Sequence, residues 1–322
     1  MQHQRIHHTE AGHIYADITE TIGNTPMVQL QRIEQLYKLH AQLIAKVEYF
    51  NPAGSIKDRP AKAMIDALMM SKSFNSKTEI VEATSGNNGV ACAWLCATRG
   101  IPITICIPEH MSIERRKLMK LYGATVITTP RELGTKGAID KAKSLLESRP
   151  HAVMLDQFAN KANPDTHALT TAEEIWRDSA GHIDVMVAGV GTGGTLTGIA
   201  RCLKQKNPNL HVVAVEPASC PVLSQGKAGV HKIQGLSSGH VPDVLEKRLI
   251  DEIITVSDED AVCFARTLAQ KEGLPVGISS GAAVSASITV GKRLNMRGKR
   301  IVTILADTAE RYFSTDLFEG CD

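Results

Sequence analysis

One lysine lies in a turn where its chemistry would differ from that of a surface lysine. It is Lys57, in the segment Asn51-Pro52-Ala53-Gly54-Ser55-Ile56-Lys57-Asp58-Arg59-Pro60. An apolar run at 43–50 leads into these turn residues, and apolar side chains at helical spacing follow at 61–69. Lys57 is therefore predicted to lie between a strand and the positive end of a helix, where anions bind and the pKa of a lysine is lowered. A lysine in such a place can form a Schiff base, whereas a solvated surface lysine is the simpler alternative.

A second polar turn has the groups needed to hold a carboxylate. Thr84-Ser85-Gly86-Asn87-Asn88-Gly89 lies between a predicted strand and a predicted helix. Its hydroxyls, amides and free backbone N–H groups at a helix N-terminus suit an anion, and its glycines let a ligand approach the backbone. The alternative is an ordinary turn in which Ser and Asn side chains cap the helix.

A third turn is rich in glycine and matches two kinds of site. In Gly189-Val190-Gly191-Thr192-Gly193-Gly194-Thr195 the first, third and sixth residues satisfy G-x-G-x-x-G, and Glu216 ends the next strand, so a dinucleotide site is one interpretation. The additional glycine and the two threonines instead suit one terminal phosphate group. The loop also lies past the middle of the chain, and Pro217 follows the acid directly. We therefore favour a phosphate loop.

Two later turns are less specific. The segment 277–283 is either a capped turn or a place where a serine hydroxyl meets a buried ring nitrogen. The segment 306–312 carries charges that are most simply interpreted as a solvated loop or an ion pair. G-x-S-x-G and H-E-x-x-H spacings do not occur in these motifs, so hydrolase and zinc-protease functions lack support.

Composition limits the classes of protein that are possible. The formal net charge of the 322 residues is +2, which gives no indication of nucleic acid or an anionic membrane as a partner. We expect neither a membrane span nor a signal peptide. The seven cysteines are scattered, and we interpret them as reduced core thiols of a cytoplasmic protein. Four histidines in the first 15 residues permit a metal site, but we favour a polar arm and predict no metal.

Predicted strands and helices alternate along the chain. The helices include 87–99, stopped by Gly100, and 112–121, with Ser112 as a possible N-cap, whereas 218–245 has an irregular pattern. This alternation is typical of an α/β fold with mainly parallel sheets covered on both faces.

Taken together, these segments resemble the fold-type II pyridoxal-phosphate enzymes, in particular the cysteine synthases (O-acetylserine sulfhydrylases) and cystathionine β-synthases. The resemblance runs from about residue 18 to 318. It rests on seven motifs in order: 22–26, 51–59, 84–89, 111–116, 189–195, 277–283 and 310–312.

The resemblance implies a role for each matching residue. Lys57 would bind pyridoxal 5'-phosphate and act as acid and base at Cα, while Asn87 would contact the phenolic oxygen and Ser279 the ring nitrogen. The phosphate would be held by Gly191, Thr192, Gly193, Gly194 and Thr195, and the substrate carboxylate by Thr84, Ser85, Asn88 and Gln157.

The resemblance also implies the reaction and the partners. The expected reaction is β-replacement that forms L-cysteine from O-acetyl-L-serine and sulfide through an α-aminoacrylate intermediate. The alternatives are cystathionine synthesis, or O-phosphoserine with another thiol or amine, and a non-catalytic paralogue that binds a partner through its cleft. A homodimer is expected, and serine acetyltransferase is a possible partner.

The expected architecture has two three-layer αβα domains. A smaller mobile domain, 51–160, would carry the carboxylate loop. A larger domain, 12–50 plus 161–322, would carry the phosphate loop, and 1–11 would form an N-terminal arm.

Three residues depart from the family pattern. Asn88 replaces a usual threonine in the carboxylate loop, and Ala306 replaces a usual proline. His240 stands at the rim of the site where an apolar residue is common, so it either meets a second carboxylate or phosphate or is solvated.

Overall fold

Two separate β-sheets form the framework of the chain. The computed structural model describes residues 14–84 and 86–320. One sheet has six strands in the order β1-β2-β10-β7-β8-β9, and the other has four in the order β5-β4-β3-β6. The strands are β1 (Met27–Gln29), β2 (Gln42–Val47), β3 (Glu79–Ala83), β4 (Ile103–Pro108), β5 (Thr125–Thr129), β6 (Ala152–Val153), β7 (Val185–Gly189), β8 (His211–Pro217), β9 (Glu252–Val256) and β10 (Arg300–Leu305). Neighbouring strands are parallel except for β1 and β2.

Helices connect the parallel strands. They are α1 (Gln31–Tyr37), α2 (Asp58–Met70), α3 (Asn87–Arg99), α4 (Ile113–Leu121), α5 (Gly134–Ser148), α6 (Ala162–Thr166), α7 (Ala172–Asp178), α8 (Gly194–Lys206), α9 (Val222–Gln225), α10 (Asp258–Glu272) and α11 (Ile278–Gly291). The predicted α/β class with mainly parallel sheets is confirmed. The four short helices α1, α6, α7 and α9 were missing from the sequence prediction.

Both faces of the six-stranded sheet are buried. Along β7, Val185 and Val187 pack into one apolar cluster, and the alternate residues Met186 and Ala188 pack into another. Since side chains alternate across a strand, only a strand covered on both faces needs apolar residues at every position. The first cluster includes residues of α10 and α11, and the second includes residues of α7 and α8.

The four-stranded sheet is covered in the same way. Ile80 of β3 packs with residues of α2 and α3, whereas Val81 packs with residues of α5. Helix α3 ends at Gly100, which has the left-handed φ of 65° that glycine adopts without strain, as predicted. Ser112 precedes α4, but its hydroxyl makes no capping hydrogen bond, so the predicted N-cap interaction is absent.

A buried ion cluster ties the segment after Lys57 to the rest of the chain. The Arg59 Nε atom is 2.8 Å from Glu48 Oε2, and its Nη1 atom is 2.7 Å from Glu174 Oε1. Lys46 Nζ lies 2.8 Å from Glu174 Oε2. Burial alone would raise the pKa of Glu174, but hydrogen bonds and charge from Arg59 and Lys46 lower that pKa to about 2. The cluster therefore anchors the start of α2.

The cysteines within the described ranges are free thiols. Cys92, Cys96, Cys106 and Cys220 are buried, Cys202 is half-buried, and Cys263 is exposed. The core assignment is therefore wrong for Cys263. The predicted N-terminal arm, 1–11, and its histidines lie outside the described residues. Across 14–84 and 86–320, no helix combines the length and the apolar character that a membrane span requires.

Candidate active site

The Lys57 turn is built by its own backbone and one buried acid. Gly54 has a φ of 80°, which the chain needs in order to reverse after 3₁₀-helical residues 48–50. The Ala53 N–H donates to Asp58 Oδ2 at 2.6 Å, closing the loop across Lys57. Lys57 then immediately precedes α2. The structure thus places the lysine at a turn into a helix, as predicted, although the strand before it ends at Val47.

A second segment fixes this turn from the far end of the sequence. The Ile56 N–H donates to the Ala306 carbonyl at 2.9 Å, and the Arg311 guanidinium donates to the Ala53 carbonyl. The turn is therefore held between α2 and the residues that follow β10.

The ammonium group of Lys57 is poised for chemistry. The residue is only partly exposed, and desolvation lowers the pKa of its ammonium group to about 8, against an opposing effect of the Asp307 charge. In the described ranges, its Nζ atom has no hydrogen bond or ion pair to protein. Such a lysine supplies a neutral amine far more readily than one in water, which suits a nucleophile or a base.

Asn87 lies in a ring of charged groups. Its Nδ2 atom donates to Asp307 Oδ2 at 2.6 Å, and its Oδ1 atom accepts from Arg311 Nη1 at 2.7 Å and from Arg115 Nε at 3.1 Å. The amide orientation is thus fixed, and one Nδ2 hydrogen is left for a ligand. Asp307 and Arg311 are buried. The interpretation of this segment as a solvated loop is therefore wrong for both residues.

The polar side chains at 84–89 and Gln157 differ in how far they are already hydrogen-bonded. Thr84 Oγ1 accepts the Gly86 N–H at 3.0 Å, so its own hydrogen is free to donate. Gln157 is buried, and its side chain makes no hydrogen bond within the described residues. The Asn88 amide instead donates to Glu82 Oε1 at 3.3 Å, and its Oδ1 atom has no partner in the same ranges. Ser85 lies outside the described residues.

The partner of Asn88 is a buried acid, Glu82, to which the sequence assigned no role. Burial raises the pKa of Glu82 to about 8, although backbone N–H groups of Leu155 and Asp156 donate to it. The Asn88 side chain therefore binds Glu82, the buried acid beneath the loop.

The glycine loop has no room for side chains. A Cβ atom on Gly191 would lie 2.2 Å from the Gly235 carbonyl oxygen, and one on Gly194 would lie 2.1 Å from Asn163 Oδ1. Gly193 has a left-handed φ of 81°. The loop therefore packs closely against its neighbours and leads directly into the N-terminus of the thirteen-residue helix α8, a type of position that favours anions.

Two residues that the sequence analysis missed orient the threonines of this loop. Asn163 Nδ2 donates to Thr192 Oγ1 at 3.0 Å, which leaves the threonine hydrogen free. The His167 Nε2 atom lies 3.2 Å from Thr195 Oγ1. Burial holds the pKa of His167 well below its usual range, so the ring is neutral. His167 begins a π-helical segment, 167–171, a type of irregularity that is frequent at functional sites.

Two adjacent serines have different partners. Ser280 Oγ accepts the Ala306 N–H at 3.0 Å and is therefore engaged in the fold. Ser279 is nearly buried in the first turn of α11 and makes no hydrogen bond in the described part of the chain. Its hydroxyl is the one available to a ligand.

The acid that a dinucleotide site would need, Glu216, has another role in the structure. Glu216 is buried and accepts from the N–H groups of Leu223 at 2.7 Å and Ser224 at 3.0 Å, capping α9. Glu216 is thus committed to the fold and does not face a ribose.

His240 lies against Phe158, with ring centroids 5.4 Å apart, beside Asp156 and Asp243 in a small cavity.

Comparison with known proteins decides the family. The model of the family described as pyridoxal-phosphate dependent enzyme matches residues 18–307. The chain belongs to this family. It is 48% identical over 305 residues to cysteine synthase B of Campylobacter jejuni, which covers 95% of this chain and 99% of that protein. The predicted resemblance to the cysteine synthases is confirmed.

Solved structures agree with this membership. Cysteine synthase of Entamoeba histolytica superposes with a TM-score of 0.94 at 36% identity, covering 99% of this chain and 95% of that one. An O-ureido-L-serine synthase superposes with a TM-score of 0.91 at 40% identity, covering 96% of both chains. The chain is therefore a pyridoxal-phosphate-dependent enzyme that acts on small molecules.

The residues present fit pyridoxal phosphate. The glycine loop before α8 suits its phosphate. The Lys57 amine and the Ser279 hydroxyl, neither of which is hydrogen-bonded to another described residue, suit its aldehyde and its ring nitrogen. Of the residues that support the site, Asn163, His167 and Arg115 belong to none of the roles assigned from sequence. Arg115 lies in the motif 111–116, which could have indicated it, whereas no local spacing singles out Asn163 or His167.

Gly191 tests the fit of the phosphate loop. Gly191→Ala is expected to weaken cofactor binding at least about a hundredfold, because the new methyl group must displace the Gly235 carbonyl or the loop. The measurement is the dissociation constant of pyridoxal phosphate from its visible absorption. The matched control is Gly291→Ala, where the nearest atoms are side-chain carbons at 3.3 Å or more. Equal affinity in the two variants would contradict the assignment.

Proposed function

We propose that this enzyme is a cysteine synthase, which forms L-cysteine from O-acetyl-L-serine and sulfide by β-replacement. The observation that carries the proposal is the Lys57 amine, whose pKa is lowered to about 8, beside the Asn87 ring of charges. The name of the Campylobacter jejuni relative points to the same reaction. A non-catalytic member of the family would not need the Lys57 amine. Because this chain has Lys57, the non-catalytic alternative is disfavoured.

The proposed roles follow from the free groups of each side chain. Lys57 binds the cofactor aldehyde, and its neutral amine takes the Cα proton of the amino acid and later returns it. When bound, pyridoxal phosphate delocalises the electron pair left at Cα. Asn87 donates its remaining Nδ2 hydrogen to the phenolic oxygen, and Ser279 faces the ring nitrogen. Ser279 would meet that nitrogen with a hydroxyl and not with a carboxylate, so it would not favour a protonated ring.

The phosphate and the substrate carboxylate have separate binding groups in this proposal. The phosphate is held by the loop and its hydroxyls, at Gly191, Thr192, Gly193, Gly194 and Thr195. The carboxylate is held by Thr84, Ser85 and Gln157, together with the backbone of Asn88. Both sets use helix N-termini, where backbone N–H groups and the helix dipole favour anions.

Gln157 offers a specific test of carboxylate binding. Gln157→Ala is expected to raise KM for O-acetylserine about tenfold or more, because a hydrogen bond to a charged group is lost. Asn88→Ala should change that KM less, since its side chain is directed at Glu82. Steady-state kinetics of the two variants make the comparison. A larger effect of Asn88→Ala would show that its side chain, and not only its backbone, binds substrate.

The larger assembly is also part of the proposal. Segment 51–160 acts as a smaller domain that closes on the rest of the chain when the carboxylate binds. Two chains form a homodimer, serine acetyltransferase is a possible partner, and the enzyme works in the cytoplasm. The free thiols of the described residues suit a reducing compartment.

A second candidate keeps the first half of the reaction and changes its substrates. It uses O-phosphoserine, or replaces sulfide by homocysteine, another thiol or an amine. The structural similarity to an O-ureido-L-serine synthase favours this candidate, because that name places a product other than cysteine on the same fold. His240, beside Phe158 at the rim, is where such a preference would be set.

One spectroscopic experiment separates these possibilities. The visible absorption of the purified holoenzyme is recorded before and after addition of O-acetylserine and, separately, of O-phosphoserine. A shift with O-acetylserine that sulfide reverses is the expected result. A shift only with O-phosphoserine, or reversal only by another thiol or amine, would select the second candidate. A spectrum that neither amino acid changes would reject both.

A further inference from the structure

One buried carboxylate is left incompletely paired beside the lysine. Asp307 is fully buried. Its Oδ2 atom accepts from Asn87 Nδ2 at 2.6 Å and from the Tyr312 hydroxyl at 2.7 Å, and it lies 3.4 Å from Arg115 Nη2. Its Oδ1 atom has no partner within 14–84 and 86–320. A buried carboxylate oxygen normally accepts at least one hydrogen bond. Among the described residues, the donor to this atom is missing.

The backbone holds this acid next to the lysine turn. Asp307 and Ser55 form an antiparallel bridge, and the Ile56 N–H donates to Ala306 at 2.9 Å. Gly277 packs close to Oδ1, since a Cβ atom on this glycine would come within 2.1 Å of that oxygen, and this restricts the side chain of Asp307. Asp307 is therefore fixed opposite Ser55, two residues before Lys57. Lys57 has no ion pair in the described chain.

We propose that Asp307 is the counter-ion of the Lys57 ammonium group whenever that lysine is released from the cofactor, with Oδ1 accepting its hydrogen. This proposal rests on the proposed role of Lys57 as acid and base, and it makes Asp307 a positioning residue. The proton balance is simple: the proton removed from Cα stays on the Lys57 nitrogen until it is returned to Cα, and no proton passes to Asp307.

The surrounding charges are consistent with this role. Asp307 is the one acid whose charge raises the pKa of Lys57 against the effect of burial. The other charged or titratable groups around the pair are Arg115 of α4, Arg311 and Tyr312 after β10, Asp58 at the start of α2 and His167. Arg115 already donates to Gln234 and Asn87. Arg311 already donates to Ala53 and Asn87. Among the described residues, Lys57 is thus the cation near Asp307 that has no hydrogen bond or ion pair of its own.

The first test needs no catalysis. In the full-length protein stripped of cofactor, Lys57 is labelled with trinitrobenzenesulfonate across a pH range, and the labelled peptide is quantified by mass spectrometry. The wild-type midpoint is expected at about 8. Asp307→Asn should lower that midpoint by about one pH unit, because the loss of an opposite charge disfavours the ammonium form.

Two further variants keep this test decisive. Asp307→Ser is also neutral but smaller, so it should give the same downward change if the amide of Asp307→Asn does not fit. Asp316→Asn is the matched control, because this carboxylate pairs with Lys232 on the surface. An unchanged midpoint in the neutral Asp307 variants, or an equal change in Asp316→Asn, would overturn the proposal.

The holoenzyme separates this proposal from the proposed function. The pH dependence of the absorption change with O-acetylserine should move to lower pH in Asp307→Asn. If the labelling midpoint moves while O-acetylserine causes no absorption change in any variant, the counter-ion role stands and the proposed function fails. If the wild type reacts and its pH dependence is the same as that of the folded variant, the counter-ion role fails alone.

Discussion

Lys57→Ala is expected to lower kcat for cysteine formation about a thousandfold or more, because the variant loses the amine that moves the Cα proton. The turn itself should survive, since its hydrogen bonds run between the Ala53 N–H and Asp58 and between the Ile56 N–H and Ala306. The measurement is cysteine production from O-acetylserine and sulfide, with cofactor content determined by absorption. Addition of methylamine should restore part of the activity, because a small amine can enter the space of the deleted side chain.

The matched control for Lys57→Ala is Lys62→Ala on the same helix. Lys62 pairs with Asp66 one turn later, at 2.5 Å, and its side chain is 35% exposed, so its loss should change kcat less than twofold. Loss of activity confined to Lys57→Ala would support its role. If Lys57→Ala kept a tenth or more of wild-type kcat, a different base would have to be sought.

Arg59→Met is expected to destabilise the folded chain by about 3–5 kcal/mol, because it leaves a buried Glu48 without its cation. The Arg59 guanidinium makes five hydrogen bonds shorter than 3.2 Å, to Glu48, Glu174 and Thr170. Methionine fills a similar volume but supplies none of these donors. The free energy of unfolding in urea measures the effect, with circular dichroism and cofactor release followed in parallel to check for a single transition.

The control for Arg59→Met breaks an exposed ion pair. Arg248 lies 2.8 Å from Glu246, but its side chain is 82% exposed, so Arg248→Met should cost less than about 1 kcal/mol. Equal losses in the two variants would contradict the importance of burial.

The same cluster predicts the direction of acid sensitivity. The folded-state pKa of Glu174 is about 2, below its usual 4.5. Its contribution to stability is therefore complete above pH 4.5 and is lost as the pH falls towards 2. Glu174→Gln should flatten the pH dependence of the unfolding free energy in this window, and an unchanged slope would contradict the assigned pairing.

Local patterns predicted the regular elements well where they were long. The helix predicted at 87–99 is observed as α3, Asn87–Arg99. Both of its ends could be predicted because the residues next to them, a glycine-containing turn before it and Gly100 after it, are typical of helix ends. The helices α1, α6 and α7 were missed, because each is too short to show a clear apolar period. Their positions depend on packing, as when Ala172 and Ile175 of α7 join the core beneath β7.

The site divides in the same way. Sequence singled out Lys57, the carboxylate loop and the phosphate loop, because each is a short turn between a strand and a helix and its chemistry depends on neighbours in the chain. For Asp307 it left open a solvated loop or an ion pair, of which the structure shows the ion pair, with Arg115, and it gave no role to Asn163 or His167. The partners of Asp307 are far away in sequence: Asn87 contacts it across 220 positions, and Arg115 across 192. Asn163 reaches Thr192 across 29 positions.

The sequence by itself thus determined the fold class and, through the resemblance of its motifs to a known family, the cofactor. It also predicted which groups would touch that cofactor, since turns and helix N-termini are local structures. Only the tertiary structure decided how those groups are supported. It buried Asp307 beside Lys57, directed Asn88 at Glu82 and left Ser279 free while Ser280 bound the Ala306 N–H. The physical reason is that burial and electrostatic pairing depend on which distant segments meet, and no local spacing records those contacts.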